Sequence, residues 1–118
     1  MSHTITHIEI PSPDMQKSID FYSQVFGWET QVMPDGKYAM FKTGEKTGGG
    51  FDTTTKPAAQ GVGPGLVINV EDIDGTLQKI KNAGGKVVQE KTVIEGGWGA
   101  YARFTDTNGN HMQIHSMK

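Results

Sequence analysis

The spacing of apolar residues along this 118-residue chain changes period several times, and each change marks an element. Ile8 and Ile10 alternate with His7 and Glu9, the two-residue period of a strand with one buried face. Ser12-Pro13-Asp14 then supplies a turn and a helix start. From Met15 onward Ile19, Tyr22, Val25 and Phe26 recur at helical spacing, and Gly27 stands where a C-terminal cap is expected. The spacing predicts strands over 28–33, 37–43 and 49–53. Val67 to Val70 reads as another strand and 72–83 as another helix, closed by Gly84-Gly85. Further strands are predicted over 86–94, 100–105 and 111–116, with Asn108-Gly109 as a hairpin turn before the last.

The second half repeats the first. Tyr38 to Phe41 reads Tyr-Ala-Met-Phe and Tyr101 to Phe104 reads Tyr-Ala-Arg-Phe, an offset of 63 that also lays Gly36 on Gly99 and Phe51 on Ile114. An offset of 58 joins the earlier parts: Asp14 meets Asp72, Ile19 meets Leu77, Tyr22 meets Ile80 and Gly27 meets Gly85. The difference belongs to a longer hairpin between Val87 and Gly99. Two units follow, over about residues 4–55 and 65–117, joined by a Gly- and Pro-containing linker over about 56–64. Neither is long enough to bury its own apolar face, so the two are expected to pair in one domain. A strand, a helix and three strands, done twice, predicts an α+β fold of two βαβββ modules forming a curved mixed sheet around a cleft.

Composition narrows the function classes. Eleven basic and thirteen acidic residues leave a net charge of -2, which offers no footprint for nucleic acid or an anionic membrane, so a small-molecule ligand is expected. No window is apolar enough to span a bilayer and the N-terminus lacks the pattern of a signal peptide, so a cytoplasmic location is expected. Cysteine is absent, which excludes disulfides, thiolate metal sites and a thiol nucleophile. Gly44 to Gly50 lacks the GxxxxGK[ST] order of a phosphate loop, and no helix pattern follows it. Ser23 and Ser116 have no evident His and Asp framework for acyl transfer.

The segment from His7 to Gly27, HIEIPSPDMQKSIDFYSQVFG, and the segment from Asp106 to His115, DTNGNHMQIH, resemble the opening strand and helix and the closing hairpin of the vicinal oxygen chelate superfamily. That superfamily comprises glyoxalases, bleomycin resistance proteins and dioxygenases; the chain resembles the group related to lactoylglutathione lyase. Thr107 stands where the closing hairpin usually has proline. The resemblance spans nearly the whole chain and implies the paired-module fold, a homodimer, and a small oxygenated organic molecule as substrate or ligand.

The resemblance also implies where a divalent ion would sit, on four side chains from the first and last strands of each module. Those positions fall on His7, Gly50, Gly65 and Gln113. Two glycines leave at most two protein ligands and no carboxylate, so no cofactor is expected. A divalent metal held through a nonstandard set, with Glu9, His111 and His115 as neighbours, is the alternative. Without metal, His7 is the candidate base and Arg103 or Gln113 the stabiliser of an oxyanion. Tyr38, Met40, Tyr101 and Arg103 share a strand parity opposite to Phe41 and Phe104, which sets them facing the cleft if the phenylalanines pack on the helices. Tyr38, Met40, Trp98, Tyr101 and His111 are therefore candidate ligand-binding residues. Trp98, on the glycine-rich hairpin tip, is either a lid or a cover over core or subunit contact; Trp28 is expected to be structural. Two functions remain: a glyoxalase-like enzyme of the lyase or isomerase kind, or a metal-independent binder like the drug-sequestering members.

Overall fold

In the computed structural model, which describes residues 3–44 and 46–118, two similar halves follow one another. The first comprises β1 (His7–Pro11), α1 (Met15–Phe26), β2 (Glu29–Val32), β3 (Tyr38–Lys42) and β4 (Gly48–Asp52). The second comprises β5 (Val67–Asn69), α2 (Ile73–Asn82), β6 (Lys86–Val93), β7 (Ala100–Thr105) and β8 (His111–Ser116). The strands divide into two mixed sheets, ordered β1-β4-β3-β2 and β5-β8-β7-β6. In each the first strand pairs parallel to the last and the others are antiparallel, so the fold is α+β and its two sheets are topological copies. Glu45, within the segment compared with a phosphate loop, lies outside the described residues.

The internal repeat is reproduced in the pairing registers. Glu9 pairs with Gly50 and Met40 with Gly50 in the first sheet; Val67 pairs with Gln113 and Arg103 with Gln113 in the second. Those are the partners that the offsets of 58 and 63 connect. The helix ends follow local chemistry. Asp14 and Asp72 cap the two helices by accepting from the backbone N–H of Lys17 and Gly75. Gly27 ends α1 at φ +71°, a left-handed conformation that a side chain would strain.

Alternation sorts the faces. Ile10, Ala39, Phe41, Phe51, Ala102, Phe104, Met112 and Ile114 point to one side and are buried under the helices. One apolar cluster serves both halves, because α1 straddles them. Phe21 packs against Phe104 of β7 with ring centroids 6.0 Å apart, while its neighbour Tyr22 stacks on Trp28 at 4.8 Å and Phe51 at 5.4 Å. Each such aromatic contributes on the order of 2–3 kcal/mol by burial. Trp28, stacked also on Phe41 at 4.6 Å, is part of this core wall.

The halves are joined by polar bonds as well. Tyr22 is fully buried and donates its hydroxyl to Asp106 at 2.7 Å. Asp106, in the β7–β8 turn, also accepts from the backbone N–H groups of Asn108 and Asn110 and from the Asn110 side chain. The Asn110 amide donates onward to the Pro11 carbonyl at 2.6 Å, and Asn108 bonds both backbone groups of Asp14 and the Ser18 hydroxyl. Thr107, in place of the family's proline, donates its hydroxyl to the Lys17 carbonyl. Burial, and then the Asp106 charge, hold the Tyr22 phenol well above its ordinary pKa, so it stays a donor at all physiological pH.

Tyr22→Phe keeps the ring stacking and removes only the hydroxyl. It is expected to lower stability by about 1–3 kcal/mol, read as a shift of the urea midpoint at unchanged m-value; no shift would show that the hydroxyl contributes nothing to joining the halves.

Candidate functional site

The two sheets leave a cleft between β1 and the start of β8. Since β5 pairs only with Gln113–His115, the start of β8 is left facing β1. A cavity of about 520 Å³ opens there, lined by residues 8–11 of β1, 110–113 at the start of β8, Arg103 of β7, and the linker from Ala58 to Leu66. A second cavity, of about 570 Å³, lies on the helix side between β1 and β5 against Phe26, Trp28 and Phe41. Its lining holds no ionisable side chain, whereas that of the first holds Glu9, Arg103 and His111.

On the β1 wall three polar side chains touch. Tyr38, on β3, reaches over Gly50 of β4: a Cβ at residue 50 would lie 1.9 Å from both the Cζ and the hydroxyl oxygen of the tyrosine. Glycine at position 50 is thus a close-approach glycine, and the phenol fills the space a side chain there would take. From that position Tyr38 donates to Glu9 Oε2 at 2.8 Å, and His7 Nε2 lies 2.7 Å from the same phenol oxygen and 3.6 Å from Glu9 Oε2. With the phenol proton directed to Glu9, the phenol oxygen accepts from Nε2–H. The Nδ1 lone pair of His7 is then left for another partner. Partial burial, the hydrogen bond to Glu9 and the charges of Glu9 and Asp52 push the Tyr38 phenol up to about 12.

The opposite wall is different. Arg103 sits directly across from Gln113 on β8 and pairs with Gln89 on β6. Its guanidinium lies 5.5 Å from the centre of the Tyr101 ring, whose hydroxyl accepts from the Gln89 amide at 2.9 Å. Among the described residues Arg103 enters no ion pair. At position 65, the repeat counterpart of His7, a Cβ would stand 2.9 Å from Gln113 Nε2, so this glycine borders the Gln113 amide.

Of the residues singled out from sequence, Arg103, His111 and Gln113 line the cavity together, and His7 and Tyr38 are linked to it through Glu9, which lines it too. Tyr101 backs Arg103. Met40, the repeat counterpart of Arg103, is exposed on the first sheet and outside the cavity lining. Trp98 does not line either cavity; its side chain is 67% exposed, and its carbonyl lies 2.6 Å from His115 Nε2, which ties the hairpin tip to β8. Sequence reasoning missed the linker as a wall. Of its glycines Gly61, Gly63 and Gly65, the first two take a positive φ that lets the linker turn, and only Gly65 comes close to another group, the Gln113 amide.

The profile of the Glyoxalase/Bleomycin resistance protein/Dioxygenase superfamily matches residues 4–114. The chain belongs to that superfamily. It is 29% identical over 112 residues to a glyoxylase-like domain-containing protein of Didymella fabae, covering 90% of this chain and 88% of that protein. It is also 29% identical over 124 residues to a probable lactoylglutathione lyase of Vibrio cholerae serotype O1, covering 96% and 90%. A glyoxalase/bleomycin resistance protein/dioxygenase family enzyme from Burkholderia phytofirmans shares the fold at a TM-score of 0.78 with 19% identity, over 96% of this chain and 98% of that one. No helix is long and apolar enough to cross a membrane among the described residues.

The Tyr38 phenol has its own readout. Because its pKa is raised, the neutral phenol is favoured by folding; that contribution is complete below about 10, the unfolded value, and is lost as pH rises through about 12. Ultraviolet phenolate titration, with Tyr38→Phe identifying the step, is expected to place it near 12 in the parent and distinctly lower in Glu9→Gln. An unmoved step would break the assignment to Glu9.

Proposed function

We propose that the chain binds a small oxygenated organic molecule in the cleft between its two sheets, and does so without a divalent ion at the superfamily's metal positions. The observation that carries this reading is Gly50. A donor cannot be restored at that position without displacing Tyr38, because the phenol already occupies the space. Gly65 offers no donor either, leaving His7 and Gln113, one imidazole and one neutral amide, against the three or four ligands that a catalytic ion takes. Among the described residues no group of three or more His, Cys, Asp or Glu side chains is placed to hold a metal, and the unpaired guanidinium of Arg103 adds positive charge to the same cavity. The donor set does not fit the ion. What remains suits organic recognition: apolar walls from Ile8, Ile10, Leu66 and Met112, and a few polar groups that orient a ligand.

The hydrogen bonds of His7 support a second reading, catalysis without metal. Glu9 and Tyr38 orient its imidazole so that Nδ1 carries the lone pair, the form a general base needs. A base there would take a proton from a carbon next to a carbonyl, and Arg103 or Gln113 would hold the resulting oxyanion. The relatives named as lyase and glyoxylase-like supply the reaction class to try.

Calorimetric titration with Ni, Zn and Mn separates the metal-dependent alternative: no stoichiometric uptake is expected, and one-to-one uptake abolished in His7→Ala would overturn the metal-free reading. The catalytic reading is tested with methylglyoxal and glutathione after exhaustive chelation. Turnover that falls about a hundredfold or more in His7→Ala supports the base; absence of turnover leaves binding as the function.

A further inference from the structure

We infer that the cleft selects an organic monocarboxylate, anchored by Arg103, with a hydrogen-bond donor at its far end directed to Glu9. This deepens the binding proposal and rests on the cleft being the site. Glu9 lines the same cavity from the opposite wall, but the half-buried Arg103 enters no ion pair among the described residues. Its cross-strand neighbours are the amides of Gln89 and Gln113, and the next residues on its own face of β7 are Tyr101 and Thr105. The Tyr101 ring lies close to the guanidinium without neutralising it. A half-buried guanidinium with a vacant fork on the wall of a largely apolar cavity of about 520 Å³ is best satisfied by the planar, bidentate partner it matches, a carboxylate. Gln113, directly across, adds an amide donor to the same carboxylate.

The other wall sets the other end. Glu9 reaches the same cavity, and its Oε2 already accepts from Tyr38. A carboxylate has further acceptor capacity, so it takes a hydroxyl proton from a ligand and repels a second negative charge. The cavity is therefore bipolar, and a dianion is disfavoured on the side where a hydroxyl is welcome.

The test uses the whole protein and matched probes: 4-hydroxybenzoate, its uncharged analogue 4-hydroxybenzamide, and the dianion terephthalate, followed by calorimetry and by the ¹⁵N-edited side-chain resonance of Arg103 Nε. 4-Hydroxybenzoate is expected to bind about tenfold or more tighter than either of the others, as for a hydrogen bond to a charged group, and to shift the Arg103 resonance. In Arg103→Gln the preference over the amide should vanish while binding of the amide itself is retained. In Glu9→Gln the discrimination against terephthalate should fall. Equal binding of acid and amide by the parent, or a preference that survives Arg103→Gln, overturns the inference and leaves the cleft-binding proposal standing. Binding of none of the three probes counts against both. The resonance shift needs no variant, so a poorly folding substitution does not remove the test.

Discussion

The arrangement of the molecule depends on one buried polar knot, the Asp106 carboxylate in the β7–β8 turn. It accepts from Tyr22, which belongs to the helix of the other half, and from the turn that carries it. A carboxylate this deep, 4% exposed, is tolerable only with such a set of donors. Meeting that requirement forces the last hairpin against the end of β1 and the beginning of α1, where Asn110 and Asn108 complete the join. Aromatic packing of α1 on both sheets supplies the larger free energy, but it is less directional. The hydrogen bonds set the register of one half against the other, and the cleft lies along that join.

The two halves are copies in topology and opposites in chemistry. Pairing registers superimpose, so Tyr38 and Tyr101 stand at corresponding places, as do Met40 and Arg103, Gly50 and Gln113, and His7 and Gly65. The tyrosines are the same in both halves, whereas the other three pairs differ in polarity or charge. The first sheet contributes a carboxylate, a phenol and an imidazole bonded to one another. The second contributes a guanidinium with no ion pair among the described residues, two amides and another histidine. A duplicated fold has thus become a cavity with two unlike ends, and fold membership alone does not foresee that.

Much of this was legible beforehand for a simple reason. Strand and helix periods, caps and turns are local, and the core-facing parity of Phe41, Phe51 and Phe104 follows from alternation once a strand is recognised. The periods bound the strands over 100–105 and 111–116 where the structure has them, and displace other strands by a residue or so where pairing, not hydropathy, decides the end. The repeat also carried spatial information, since equal offsets imply equal registers.

What the sequence by itself determined was the α+β duplication, the phase of each strand, and the glycines at two of four superfamily positions. Tertiary structure decided what those glycines are for. That Tyr38 lies over Gly50, that its proton goes to Glu9, that Arg103 stands between the amides of Gln89 and Gln113, and that residues 58–66 close one side of the cleft while Trp98 stands away from it all depend on which strands become neighbours. Parity assigns a side chain to a face. Only packing across strands settles its distance, its partner and its charge environment, because those energies act between residues far apart in the chain.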